Sequence, residues 1–66
     1  MNLEKVKTNL KRIREEQNLT IDELASISNV TSVTIRNIEK GRFNPNPKTV
    51  NKLAIALDVD FDDLVE

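Results

Sequence analysis

Apolar residues in this chain recur at every third or fourth position and rarely at every second. Leu3, Val6, Leu10 and Ile13 fall on one face of a helix expected over 2–17. Asn18 suits its end, because asparagine tolerates the left-handed turn that closes helices. The following starts share one grammar. Thr20 and Glu23 have capping-box spacing, with Leu19 and Leu24 at the flanking staple positions. Thr31 is a second N-cap, with Val30 and Ile35 as its staple pair, and Asp60 is another, with Asp63 at the third helical position and Val59 and Leu64 flanking. Asn46 before Pro47 starts a further helix, since proline suits the first helical position, where its missing N–H costs nothing.

The pattern therefore predicts helices over 2–17, 20–28, 31–40, 46–57 and 60–65. No stretch alternates with period two for long enough to make a strand. The only glycine and both prolines lie within GRFNPNP, residues 41–47, the one true loop. The expected fold is all-α: five short helices joined by short turns in one domain spanning 1–66, without repeat or linker. Its expected core is Leu3, Val6, Leu10, Ile13, Leu19, Leu24, Ala25, Ile27, Val30, Ile35, Ile38, Val50, Leu53, Ala54, Leu57, Val59, Phe61 and Leu64.

Composition narrows the chemistry. The 66 residues contain no cysteine and no histidine, so disulfides, thiolate or imidazole metal sites and Cys–His or Ser–His catalysis are excluded. No cofactor or metal is implied, and no small-molecule ligand is evident. No apolar run approaches a membrane span or signal-peptide core, and the expected location is the cytoplasm. A chain this short buries only about 60% of its unfolded surface, so packing alone must hold it. Paired carboxylates sit at helix starts, where capping accounts for them, and an enzyme is not expected.

The net charge of −1 hides a segregated pattern. Residues 1–14 carry a balance of +4, residues 15–30 of −4, residues 31–52 of +4 and residues 53–66 of −5. A basic segment is the ordinary footprint of a nucleic-acid binder. Here it coincides with the third helix and the loop after it.

Residues 21–40, IDELASISNVTSVTIRNIEK, hold two short helices that meet through Ser28-Asn29-Val30. That turn is too short for an antiparallel hairpin but suits a steep crossing. Ala25 supplies the small residue where the backbones approach, and Asn29 the positive φ. Leu24, Val30, Ile35 and Ile38 supply the inward anchors.

With these residues in place, the chain resembles the Cro/repressor helix-turn-helix regulators of bacteria and their phages (Xre-like, lambda-repressor-like). The resemblance rests on RIREEQNL (12–19), LTIDELA (19–25), NVTSVTIRNIEKG (29–41) and NPNPKTVNKLAIALDVDFDDL (44–64), in the family's order and spacing. It implies a compact five-helix lambda-repressor-like domain whose second and third helices form the helix-turn-helix. The implied partner is double-stranded DNA. Two positions depart from the family: Asn29 stands where glycine is common, and Ile21 where a glutamine often clamps a phosphate.

The outer face of the third helix holds Ser32, Val33, Arg36, Asn37 and Lys40. A recognition helix enters the major groove. There Asn37 suits adenine, Arg36 a guanine or a phosphate, and Val33 a thymine methyl. Ser32, Val33 and Asn37 match the family's base-contacting positions. Candidate phosphate contacts are Thr20 and Thr31 at helix N-termini, then Lys40, Arg42, Asn44, Asn46 and Lys48. Any one lysine is by default a solvated charge; the clustering around the third helix gives these more weight. Lys5, Lys7, Lys11 and Arg12 remain unassigned, because part of the first helix faces away from DNA on this reading.

The resemblance also implies a structural ion pair between Arg14 and Glu39, and a two-fold contact through the C-terminal region, for which Val59, Phe61 and Val65 are candidates. The small area available points to a weak or DNA-coupled homodimer. The expected activity is that of a transcriptional repressor occupying a pseudo-palindromic operator, with an antitoxin or phage-type switch as a variant. The rival is a protein-interaction module of the same fold with little DNA affinity.

Overall fold

The computed structural model describes residues 3–66, with Leu3 described for its backbone alone. The expected helical Asn2 and the expected core side chain of Leu3 lie outside what is described. Among the described residues there are five helices and no strand: α1 (Leu3–Glu16), α2 (Ile21–Ser28), α3 (Ser32–Glu39), α4 (Pro47–Leu57) and α5 (Phe61–Val65). The expected ranges differ chiefly by counting the caps.

Those caps form as the residue types dictate. The Thr20 hydroxyl accepts from the Glu23 N–H at 3.0 Å, and the Glu23 carboxylate accepts from the Thr20 N–H at 2.8 Å. Thr31 accepts from the Thr34 N–H at 3.2 Å, and Asn46 from the Thr49 N–H at 2.8 Å. At α5 the Asp63 carboxylate accepts from the Asp60 N–H at 2.9 Å.

Helix ends are closed by residues at positive φ: Asn18, Asn29, Gly41 and Asp58. After α1, Leu19 N–H bonds to Arg14 C=O and Asn18 N–H to Glu15 C=O. The same Schellman pattern recurs as Arg42 to Asn37 and Gly41 to Ile38, and as Val59 to Ala54 and Asp58 to Ile55. The end of α2 differs. There Asn29 N–H bonds to Ala25 C=O, the simpler left-handed cap, and α3 begins at Ser32. That abrupt closure makes the sharp turn between α2 and α3.

The core is one cluster fed by every helix. Val6, Leu10 and Ile13 come from α1, Leu24 from α2, and Ile35 and Ile38 from α3. Val50, Leu53, Ala54 and Leu57 come from α4, Leu64 from α5, and Val30 from the turn. α1 packs on α3 and α5, α2 on α3 and α4, and α4 on α5. Side chains of α1 and of the turn after it also reach carbonyls at the ends of other helices: Asn9 Nδ2 donates to Leu64 O at 3.1 Å, and Gln17 Nε2 to Leu57 O at 2.7 Å.

One core expectation fails. Ile27 is 56% exposed. The interior stripe of α2 runs instead through Leu24 and Ser28, both buried. Ser28 tolerates burial because its hydroxyl accepts from the Val30 N–H at 3.2 Å inside the turn. Leu19, Ala25, Val59 and Phe61 are only partly buried and pack against the cluster from outside.

Candidate nucleic-acid interface

α3 is held from behind and open in front. Ile35 and Ile38 lock its inner side into the core. Its C-terminal end is tied to α1: Arg14 Nε donates to Glu39 Oε2 at 2.8 Å and Arg14 Nη2 to Glu39 Oε1 at 2.9 Å. Arg14 Nη1 donates to Leu19 O at 2.7 Å. The two side chains are 10% and 7% exposed, so the bidentate pair is nearly dry and fully hydrogen-bonded. The Glu39 hydrogen bond raises the Arg14 pKa further above its ordinary value, against burial, which works the other way.

Val33, Arg36, Asn37 and Lys40 follow one another at i, i+3, i+4 and i+7, one stripe of a helix. Val33 is 60% exposed, Arg36 and Lys40 are exposed, and Asn37 is half-buried. Ser32, also half-buried, lies at the start of the helix. With eight residues, α3 is about 12 Å long, comparable to the width of a B-DNA major groove.

The helix N-termini are not equivalent. Both Thr20 and Thr31 have their hydroxyls engaged: Thr20 with Glu23, and Thr31 as acceptor from Thr34 N–H and donor to Thr34 Oγ1 at 2.8 Å. What either start offers an anion is therefore backbone N–H. At α2 the first turn already carries Asp22 and Glu23, whereas the first turns of α3 and α4 carry no acidic residue. Hydrogen bonds from the Thr20 N–H and hydroxyl hold the Glu23 pKa below its usual value, which keeps that neutralising charge in place.

Arg42, Asn44, Asn46 and Lys48 are exposed along the loop from α3 to α4. Pro45 is buried and anchors that loop, while Phe43 is 43% exposed. Asn46 spends its carbonyl oxygen on the α4 cap, leaving its amide donors outward. Val59, Phe61 and Val65 rest partly buried on their own core. Ile55 on α4 is 70% exposed, which the sequence does not signal because the residue sits inside the apolar run Leu53–Leu57.

Among the described residues no helix is long and apolar enough to cross a membrane. A helix-turn-helix (HTH_3) family profile matches residues 10–64. The HTH-type transcriptional repressor RghR of Bacillus subtilis is 40% identical over 57 residues, covering 85% of this chain and 42% of that protein. The chain thus spans less than half the length of that relative. An uncharacterized HTH-type transcriptional regulator of Archaeoglobus fulgidus is 34% identical over 59 residues, covering 89% of this chain and 83% of that protein. In three dimensions the restriction-modification controller protein C.AhdI from Aeromonas hydrophila superposes with a TM-score of 0.89 at 29% identity, covering 94% of each chain. The family profile reaches from Leu10 in α1 to Leu64 in α5, and so takes in the capped helix pair and all of the core except Val6. The chain therefore belongs to the helix-turn-helix HTH_3 family, whose fold is lambda-repressor-like.

Proposed function

We propose that this chain is a sequence-specific binder of double-stranded DNA that acts as a transcriptional repressor by occupying an operator in the cytoplasm. Residues 1–66 serve as one DNA-binding domain. α3 enters the major groove, where Ser32, Val33, Arg36 and Asn37 meet base edges. The N–H groups at the starts of α2, α3 and α4, next to Thr20, Thr31 and Asn46, meet phosphates together with Lys40, Arg42, Asn44 and Lys48. The observation that carries this reading is the outward stripe of α3. Val33, Arg36, Asn37 and Lys40 form a continuous face without a carboxylate, on a helix whose first turn has no acidic residue.

The protein works as a homodimer on a pseudo-palindrome, with half-sites about 10 bp apart centre to centre. Ile55 on α4, Val59 in the turn after it, and Phe61 and Val65 on α5 provide apolar surface for a two-fold contact. The patch is small, so pairing is weak in solution and reinforced by DNA.

Selection from random duplexes tests the proposal. The expected result is one enriched pseudo-palindrome, bound orders of magnitude more tightly than random duplex, with affinity falling steeply from low to moderate salt. A selection that enriches nothing would leave a protein-interaction module as the better account.

A further inference from the structure

The first helix carries cations that the reading above does not use. Arg14 identifies the stripe of α1 that faces α3, since its guanidinium grips Glu39 at the end of that helix. Lys7 and Lys11 precede it on the same stripe, at i−7 and i−3. The structure sets both beside residues that the proposal above assigns to DNA contact. The half-buried Lys7 lies over the loop after α3: a Cβ built on Gly41 would stand 3.4 Å from Lys7 Cδ and 3.6 Å from its Nζ. Lys11 lines a groove between α1, the start of α2 and α3, together with Ile21, Arg36 and Lys40.

The electrostatics of that groove are one-sided. Glu39 also lines it, but its charge is matched by Arg14, and Glu15 on the rim is the one acidic group left among the lining residues. Among the described residues neither Lys7 nor Lys11 is in an ion pair. Ile21 offers no side-chain donor, so any side-chain grip on an anion at the start of α2 must come from across the groove. A lysine suits such a place: its stem covers apolar surface while its ammonium reaches outward.

We propose that Lys7 and Lys11 are phosphate contacts to duplex DNA, with Lys11 supplying at the α2 start the donor that Ile21 lacks. This rests on the DNA-binding reading of α3. Lys7 and Lys11 from α1 then join Lys40 and Arg42 beside the C-terminal end of the recognition helix. Both new contacts bear on the sugar–phosphate backbone, and so set affinity and register without reading sequence.

Lys7→Gln, Lys11→Gln and the double variant test this on the duplex enriched by the wild type. Each substitution should lower affinity on that duplex and on a mismatched one by the same factor. Each should also reduce the slope of log affinity against log salt by about 0.9. Restoring a donor with Ile21→Gln should recover affinity in the Lys11→Gln background and change the wild type much less. Equal thermal melts for wild type and variants would assign the loss to DNA contact rather than to folding. Wild-type affinity and slope in both single variants would overturn this inference while leaving the reading of α3 intact. A wild type that selects no sequence and shows no salt-dependent binding would overturn both.

Discussion

α2 and α3 are built alike and face outward differently. Each has eight residues, begins at a capping threonine and anchors to the core through a stripe one or two residues wide. The difference lies in the charges of the first turn. α2 opens with Asp22 and Glu23, which answer its own positive end; α3 opens with Ser32 and Val33 and leaves that end open. The exposed stripe of α3 then adds Arg36 and Lys40. Similar starts thus yield one helix whose positive end is answered within the chain and one whose positive end and exposed stripe suit a polyanion. With a threonine cap at the start of each, the side chains that follow set the charge of the two surfaces.

The largest effect should come from cutting what holds α3 but not α2. Glu39→Ala strands the buried Arg14, which should destabilise the fold by about 3 kcal/mol or more. In a chain this size that is a drop of more than 10 °C in Tm, at ~4–8 °C per kcal/mol. An unchanged melting curve would show that α3 does not depend on the pair. The outward faces should part next. Arg36→Ala should lower affinity for the selected duplex by about 1–3 kcal/mol, measured by fluorescence anisotropy at fixed salt. Asp22→Ala, on α2, should leave it unchanged or slightly raised. Equal losses from both would erase the distinction between the helices.

The two caps offer a finer comparison. Thr31→Ala should cost about 1 kcal/mol in denaturant unfolding, and Thr20→Ala at least as much, because its box is closed from both sides. Smallest is a pH effect confined to α2. Glu23 is held below its usual pKa in the folded chain, so it binds its proton less readily there than when unfolded. Its stabilising contribution is full above the unfolded pKa and fades as pH falls through the folded one. Glu23→Gln should remove that part of the acid dependence while keeping a box-compatible side chain. Acid titrations of wild type and variant that superimpose would sink this point.

The caps and turns were legible because each is written in one or two residues: a threonine before a helix, a glutamate three positions later, an asparagine where φ turns positive. Asp58 closes α4 at positive φ, a role its sequence context hides because aspartate there equally suits the acidic run that follows. Ile27 departs from its expected core position for a different reason. In a helix of eight residues, apolar positions at 21, 24, 25 and 27 do not fix which side faces in. The partners α3 and α4 chose Leu24 and Ser28, and the serine became acceptable inside because the turn satisfies its hydroxyl. The stripe of α3 was readable, as Ile35 and Ile38 define its inner side. The lysines of α1 were not, because their meaning depends on which way Arg14 points. That is a tertiary fact.

The central claim is that the outward stripe of α3 reads bases, and Asn37 is its sharpest probe. Selection from random duplexes should be repeated with Asn37→Ala. The account predicts that the enriched pseudo-palindrome survives with its base preference relaxed at one symmetry-related position in each half-site, and that the thermal melt stays at the wild-type temperature. A preference unchanged at every position would contradict the claim.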